Sequence, residues 1–340
     1  MAAARQPMTN EIDIKENELR DRYPEVLEIL LRDHTTQQNI FWATDNYCNL
    51  GEKYEFSSPI LPELITGENG NVIMPRVQKD KTLQQSRSRE MAEVFTPSWI
   101  CNAQNNLIDT AWFGRENIFN TEIITEYGTH FWTVNPEKIT FPDDKTWKHY
   151  IRENRMEITC GEAPYITSRY DTTTGEFIPI ENRIGLLDRK LRVINENVQN
   201  SGEWLKAAQE AYKSTYAYEW QGDSLLLARE AMLYTFIENY EQIFGEQPLL
   251  KSIQYIAYII SWNVWQMDGL KGVIPNSCGV KKSSQLDIFG GQDFKNCEGC
   301  RNDKIEKHNG TYCLIKDWIN KDIETGKKGK KIRFIDLIKK

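Results

Sequence analysis

Arg155-Met-Glu-Ile-Thr-Cys-Gly-Glu-Ala-Pro-Tyr165 carries the reading of the fold. Apolar and polar side chains alternate from Met156 to Cys160, the period of a strand with one buried face, and the run stops at Gly161. A glycine there lets the backbone turn with positive φ and lets another group come close to it. Outward from this stretch, Thr215-Tyr-Ala-Tyr-Glu-Trp220 has strand character too. Helical spacing fills 185–213, through Leu186, Leu187, Leu191, Ile194, Trp204, Ala207, Ala208 and Ala211. Asp223 suits the N-cap of the next helix, which begins Ser-Leu-Leu-Leu-Ala-Arg. Upstream, Ala92-Glu-Val-Phe-Thr-Pro97 opens a helix over 97–109 with proline in its first turn. Strands alternating with helices predict an α/β fold, a Rossmann-like sheet covered on both faces, with a helical insertion around 166–213.

The remainder is less regular. Residues 1–10 read as a disordered start, and 11–33 have helical spacing broken at Pro24. Gly67-Glu-Asn-Gly-Asn71 is a turn, and the polar, basic run from Arg76 to Arg89 reads as a solvated connector. Residues 112–150 are aromatic and irregular and take no role. Residues 249–260 fit helix or strand equally well.

At 340 residues, with 40% apolar side chains, the chain has enough material for a sizeable core. No apolar run is long enough to span a bilayer and no signal-peptide pattern opens the sequence, so a cytoplasmic protein is expected. A net charge of −7 argues against indiscriminate coating of nucleic acid but leaves room for a local basic channel. The seven cysteines are not expected to form a disulfide framework in that compartment.

Sheets of this class bind ligands beyond the carboxyl ends of their strands, where Gly161 supplies the turn and Glu219 an acid for ribose hydroxyls. Glu157-Ile-Thr-Cys-Gly-Glu-Ala163 resembles the Asp/Glu-Pro-x-Cys-Gly-x-Gly motif of DNA adenine-N6 methyltransferases dependent on S-adenosylmethionine (SAM). Ala92-Glu-Val-Phe-Thr-Pro97 resembles that family's Gly-x-Phe/Tyr-Phe/Tyr-Thr-Pro motif, which lines the methionine end of SAM. Ala92, Ile158 and Ala163 depart from the pattern, and 58 residues separate Gly161 from Glu219 where about 20 is common in dinucleotide-binding folds. The resemblance implies a SAM pocket of Phe95, Thr96, Pro97, Glu157, Cys160, Gly161, Tyr165, Glu219 and Trp220. It also implies methyl transfer to the N6 amino group of adenine in DNA, in a bacterial or phage restriction-modification or anti-restriction setting. A homodimer or a restriction-system subunit stays open.

Such enzymes carry an Asp/Asn/Ser-Pro-Pro-aromatic tetrapeptide whose polar residue holds the amino group while the aromatic stacks on the flipped base. Within Ser261-Trp-Asn-Val-Trp-Gln266, Asn263 offers the acceptor, Trp265 the stacking face, and Gln266 stands where the aromatic belongs. Glu162-Ala-Pro-Tyr165 is a second candidate, and a core role for Trp-Asn-Val-Trp is the plain alternative. If the last holds, the chain is a non-catalytic nucleic-acid-binding subunit on the same scaffold.

Cys278, Cys297, Cys300 and Cys313 include one Cys-x-x-Cys pair, and four thiolates at such spacing suit a structural zinc. His308 is an alternative ligand. Lys281-Lys282 and Gly326-Lys-Lys-Gly-Lys-Lys-Ile-Arg333 offer phosphate contacts nearby. The expected organisation is an N-terminal extension over 1–90, a methyltransferase-like domain over 91–275, and a zinc module with a basic segment over 276–340.

Overall fold

The computed structural model describes residues 12–13, 16–90, 93–279, 281–286, 292–295, 297–321, 326 and 328–338. The start expected to be disordered, 1–10, lies outside these residues, as does Ala92.

The chain opens with α1 (Glu16–Arg22) and α2 (Val26–Leu31), separated at Pro24 as its missing N–H and fixed φ dictate. After irregular chain come α3 (Pro62–Ile65), α4 (Lys81–Glu90) and α5 (Ser98–Phe113). Pro97 is the N-cap of α5, one place outside the first turn, and the helix runs past Asp109 to Gly114 in the left-handed region. The stretch 112–150, given no role from sequence, folds as an antiparallel hairpin, β1 (Asn120–Ile124) and β2 (His130–Val134), followed by α6 (Trp147–Arg152). Its aromatic residues are packing: Phe113, Phe119, Phe141 and Tyr150 pack ring to ring.

The centre is a parallel three-stranded sheet. Strand β3 (Arg155–Ile158) pairs with β4 (Thr215–Glu219), and β4 pairs with β5 (Val264–Gln266). Two amphipathic helices, α7 (Leu186–Asn197) and α8 (Ser201–Lys213), cross from β3 to β4, with the Asn200 side chain capping α8 through the Gly202 and Glu203 amides. The return from β4 to β5 uses α9 (Gly222–Phe244) and α10 (Leu250–Asn263). The period-ambiguous stretch 249–260 is thus helical: its length exceeds that of ordinary strands.

α9 is buried almost all round and carries Asp223, Arg229, Glu230 and Glu238 into the interior, so their charges need partners there. Asp223 is not the N-cap; Gln221 occupies that place without a side-chain cap. Asp223 instead takes Lys79 at 3.2 Å, Arg87 at 2.8 Å and the Tyr47 hydroxyl at 2.7 Å. Burial opposes its ionisation, but Arg87 and Lys79 overcome that and hold the carboxyl below its usual range. The supposed connector 76–89 is therefore partly core: Arg87 is fully buried, because its charge is matched inside rather than solvated.

The C-terminal part contains β6 (Lys281–Leu286) and β7 (Gln292–Lys295), the short helix α11 (Glu298–Asn302), and the hairpin β8 (Leu314–Lys321) and β9 (Lys328–Arg333). One large core joins Leu19, Leu30, Trp42 and Ile60 to Leu191, Phe236 and Ile260. A second, around Tyr218, Trp265, Met267, Cys313 and Ile315, sits under the last hairpin. The N-terminal residues thus share a core with the sheet.

Candidate cofactor crevice and metal centre

The β3 turn forms because Gly161 takes φ +53°, which side chains resist. Ala163, at the place of the resembled motif's second glycine, also has positive φ, at +60°. Glu219 at the end of β4 locks the turn: its carboxylate accepts the Gly161 amide at 2.8 Å, Trp220 at 2.8 Å and Gln221 at 3.2 Å. Burial raises its pKa even so, against the three amides that lower it. Glu157 points into the loop that follows β3 and accepts the Tyr165 and Ile166 amides at 3.3 and 3.1 Å. Burial pushes its carboxyl well up. Cys160 is buried, with its amide bonded to the Tyr218 carbonyl, and burial pushes its thiol up, away from nucleophilic use.

The Phe95-Thr96-Pro97 segment comes to this turn. A Cβ built on Gly161 would lie 3.6 Å from Cζ of Phe95, so the ring packs against bare backbone, and the Arg76 guanidinium lies 5.2 Å from that ring's centre. Glu93, two residues earlier, pairs with Arg87 and Arg76, so the buried ion network under α9 aims Phe95. The Thr96 carbonyl accepts the Thr172 hydroxyl at 3.2 Å, and Asp171 caps α5 through the Ser98 amide at 2.7 Å. Phe95, Thr96, Pro97, Gly161, Tyr165 and Trp220 all remain half-buried, with surface left for a ligand.

Sequence reasoning missed one wall. Trp220 Nε1 donates to the Ala43 carbonyl at 3.1 Å, and the Gly222 amide to Trp42 at 3.0 Å. The segment 41–43 therefore crosses the carboxyl end of β4, and nothing in its composition announces that.

The tetrapeptide candidates do not converge on this crevice as acceptors. Asn263 is fully buried: its amide donates to the Tyr212 and Thr215 carbonyls, and its oxygen accepts Trp318 Nε1 at 2.8 Å. Trp265 is core against Phe334 and Met267. Gln266 spends its amide on Phe41 and Trp220. These three are corrected to structural residues, because every polar group is satisfied within the protein and no ring face is free. Glu162 fares no better: its oxygens hold the Arg76 amide at 2.7 Å and the Tyr170 hydroxyl at 2.6 Å.

Cys278, Cys297, Cys300 and His308 form a cluster that can hold a metal ion such as zinc, with their ligand atoms all within 4.8 Å of one another. The His308 Nδ1 lies 3.4, 3.5 and 3.6 Å from the three sulfurs. A tetrahedral zinc with ordinary Zn–S and Zn–N bonds requires an S···N edge of about 3.6 Å. Gly299 permits the approach, since a Cβ there would come within 2.6 Å of the His308 backbone nitrogen. The amide of Asn309 points at the Cys297 sulfur at 3.3 Å. Burial opposes it, but that amide, the Cys300 amide and His308 bring the Cys297 thiol below its usual range.

Cys313, expected as fourth ligand, is not part of this cluster. It lies just before β8, fully buried, with its sulfur on the Gln266 carbonyl at 3.4 Å. His308 takes its place. Among the described residues, no helix is long and apolar enough to cross a membrane. No family model, curated protein or solved structure matches this chain.

Proposed function

We propose that the chain binds S-adenosylmethionine at the carboxyl ends of β3 and β4 and acts in methylation of the N6 amino group of adenine in DNA. The observation that carries the reading is the meeting of Phe95, the positive-φ turn at Gly161 and the Glu219 carboxylate at the carboxyl ends of β3 and β4. Three parallel strands in consecutive order with helical crossovers are also what one half of a dinucleotide-binding sheet contains.

In this reading Gly161 gives the tight turn on which the Phe95 ring packs, and Phe95 and Pro97 wall the methionine end of the cofactor. Glu219 offers the one of its about four acceptor sites that the three amides leave free to a ribose hydroxyl. SAM supplies an electrophilic methyl group on a sulfonium. Transfer to a neutral amino nitrogen needs no residue of unusual pKa, only orientation and exclusion of water.

The Cys3His cluster would carry a structural zinc that holds 272–313 in place and supplies folding energy to a polar segment with few apolar side chains of its own. A second reading, a nucleic-acid-binding subunit that does not methylate, is favoured by the burial of Asn263, Trp265 and Gln266. Calorimetry with SAM, followed by mass spectrometry of bases in unmodified DNA incubated with protein and SAM, tests both. SAM binding with N6-methyladenine supports the enzyme, SAM or DNA binding without methylation the subunit. Absence of SAM binding by folded protein overturns the crevice assignment.

A further inference from the structure

One face of α10 carries Lys251, Tyr255, Tyr258 and Trp262, in step with the helical repeat. Three lysines from other elements reach over these rings. Lys213, the last residue of α8, lies 5.4 Å from the centre of Tyr255 and 5.6 Å from that of Trp318. Lys316 of β8 lies 4.9 Å from Tyr258, 5.2 Å from Trp262 and 4.8 Å from Trp318, and donates to the Tyr258 hydroxyl at 2.7 Å. Lys331 of β9 lies 5.8 Å from Trp262.

Lys316 and Lys331 are direct cross-strand partners. Like charges placed so destabilise a hairpin, and none of the three lysines forms an ion pair among the described residues. The field they make is felt nearby. His34 stacks on Trp262 at 3.9 Å, and its pKa is lowered to about 3, by burial first and then by Arg229, Lys316, Arg32 and Lys331. In a chain of net charge −7, three lysines without an ion pair among the described residues make a local positive field that an anion would offset.

We infer that the face formed by α10 and the β8–β9 hairpin, centred on Lys213, Lys316 and Lys331, binds the phosphate backbone of a nucleic-acid strand. Cationic groups interleaved with rings are the pattern of single-strand grooves, where phosphates take the lysines and a base can rest on an open ring. Tyr255, 37% exposed, is the most accessible of the three α10 rings. A bilayer is the weaker fit: α10 turns Ile253, Ile256, Ile259 and Ile260 inward, where an interfacial helix turns them out. The metal cluster abuts this hairpin, because His308 leads through Tyr312 into β8 and Arg333 lies over the Tyr312 ring. The inference deepens the nucleic-acid half of the proposed function and does not need its cofactor half.

The test is fluorescence anisotropy without SAM. A labelled oligothymidylate, a duplex of equal length, and phosphatidylserine vesicles are titrated with wild type, Lys213→Glu/Lys331→Glu, and Lys316→Ala. Circular dichroism and zinc content check the fold, and the pair, with Lys331 exposed and Lys213 half-buried, keeps the test valid if Lys316→Ala misfolds. The expected result is at least tenfold weaker oligonucleotide binding for the charge-reversed pair. Its slope of log affinity against log salt should be shallower by roughly 0.7 per lost contact on single strands, 0.9 on duplex. Unchanged affinity and slope in the folded pair overturns the inference, as does wild-type binding to vesicles but to neither DNA. Loss of DNA binding with SAM binding intact confirms this face alone, and failure of SAM to bind leaves it standing.

Discussion

The Gly161 turn shows how a single torsion angle can be tested apart from packing. A methyl group there meets only Phe95, at an ordinary contact distance of 3.6 Å, so the cost of Gly161→Ala is the left-handed backbone and not a clash. That strain is about 1–2 kcal/mol. Urea denaturation should show a loss of that size; a loss several times larger would mean that Phe95 has no room to give. His34 offers a second test at this scale. Its folded pKa of about 3 lies below an unfolded value of about 6.5. As pH falls from about 6.5 towards 3, the unfolded chain binds a proton the folded one refuses, and stability drops by up to about 1.4 kcal/mol per pH unit. Glu157 and Glu219, raised by burial, work in the opposite direction, since their contribution is full below pH 4.5 and fades above it. The stability difference between wild type and His34→Gln isolates the histidine and should narrow as pH falls through this window. A constant difference would mean that His34 titrates normally.

Elements divide by how much of their cause is local. β3 and β4 were legible because their alternation and the Gly161 stop are sequence-local, and α7 and α8 because their apolar stripes are. The basic run 76–89 was not, since hydropathy cannot tell a solvated arginine from Arg87, whose charge is matched by Asp223, 136 residues away. The Cys-x-x-Cys pair was legible, and His308 was in view as an alternative, but the choice of it over Cys313 was not. Cys313, just before β8, and Ile315 within it are two apart and both buried in the second core, an alternation that cysteine spacing overrode. This sorts the metal predictions. Elemental analysis should find about one zinc per chain, as for a single four-ligand site. Cys300→Ser should lose it, whereas Cys313→Ser should keep it while losing stability to a disturbed core. Zinc lost from Cys313→Ser and kept in Cys300→Ser would restore the four-cysteine set.

At the scale of the molecule, Arg229 ties distant parts together. Fully buried, it donates to the carbonyls of Leu30 and Arg32 near the start of the chain and of Ser261 and Val264 at the end of α10. Arg229→Met would strand these carbonyls at about 1–3 kcal/mol for each buried group left unpaired. The expected outcome is a loss of roughly 3 kcal/mol or more, with tryptophan fluorescence and far-ultraviolet circular dichroism still unfolding together. Two separated transitions would show that the N-terminal residues fold as a unit of their own. The contact at the β3 turn was half legible for the same reason: the Cys-Gly stop after β3 and the acid ending β4 pointed to Gly161 and Glu219, but the wall at 41–43 exists only once distant segments meet.

The same ties set a schedule. Leu30 meets Arg229 across 199 residues and Phe41 meets Gln266 across 225. A ribosome releases the first of each pair at about 5–20 residues per second, so each waits on the order of ten seconds or more for its counterpart to be translated. During that interval Leu27, Leu30 and Trp42 have only nearby segments, such as Tyr47 and Tyr54 against Trp42, to cover them. Nascent chains arrested before residue 229 should remain protease-sensitive around 26–42 and bind a general chaperone there. Those arrested with residue 266 well clear of the exit tunnel should be protected. The last strand of the sheet would then be the signal that closes the beginning of the chain.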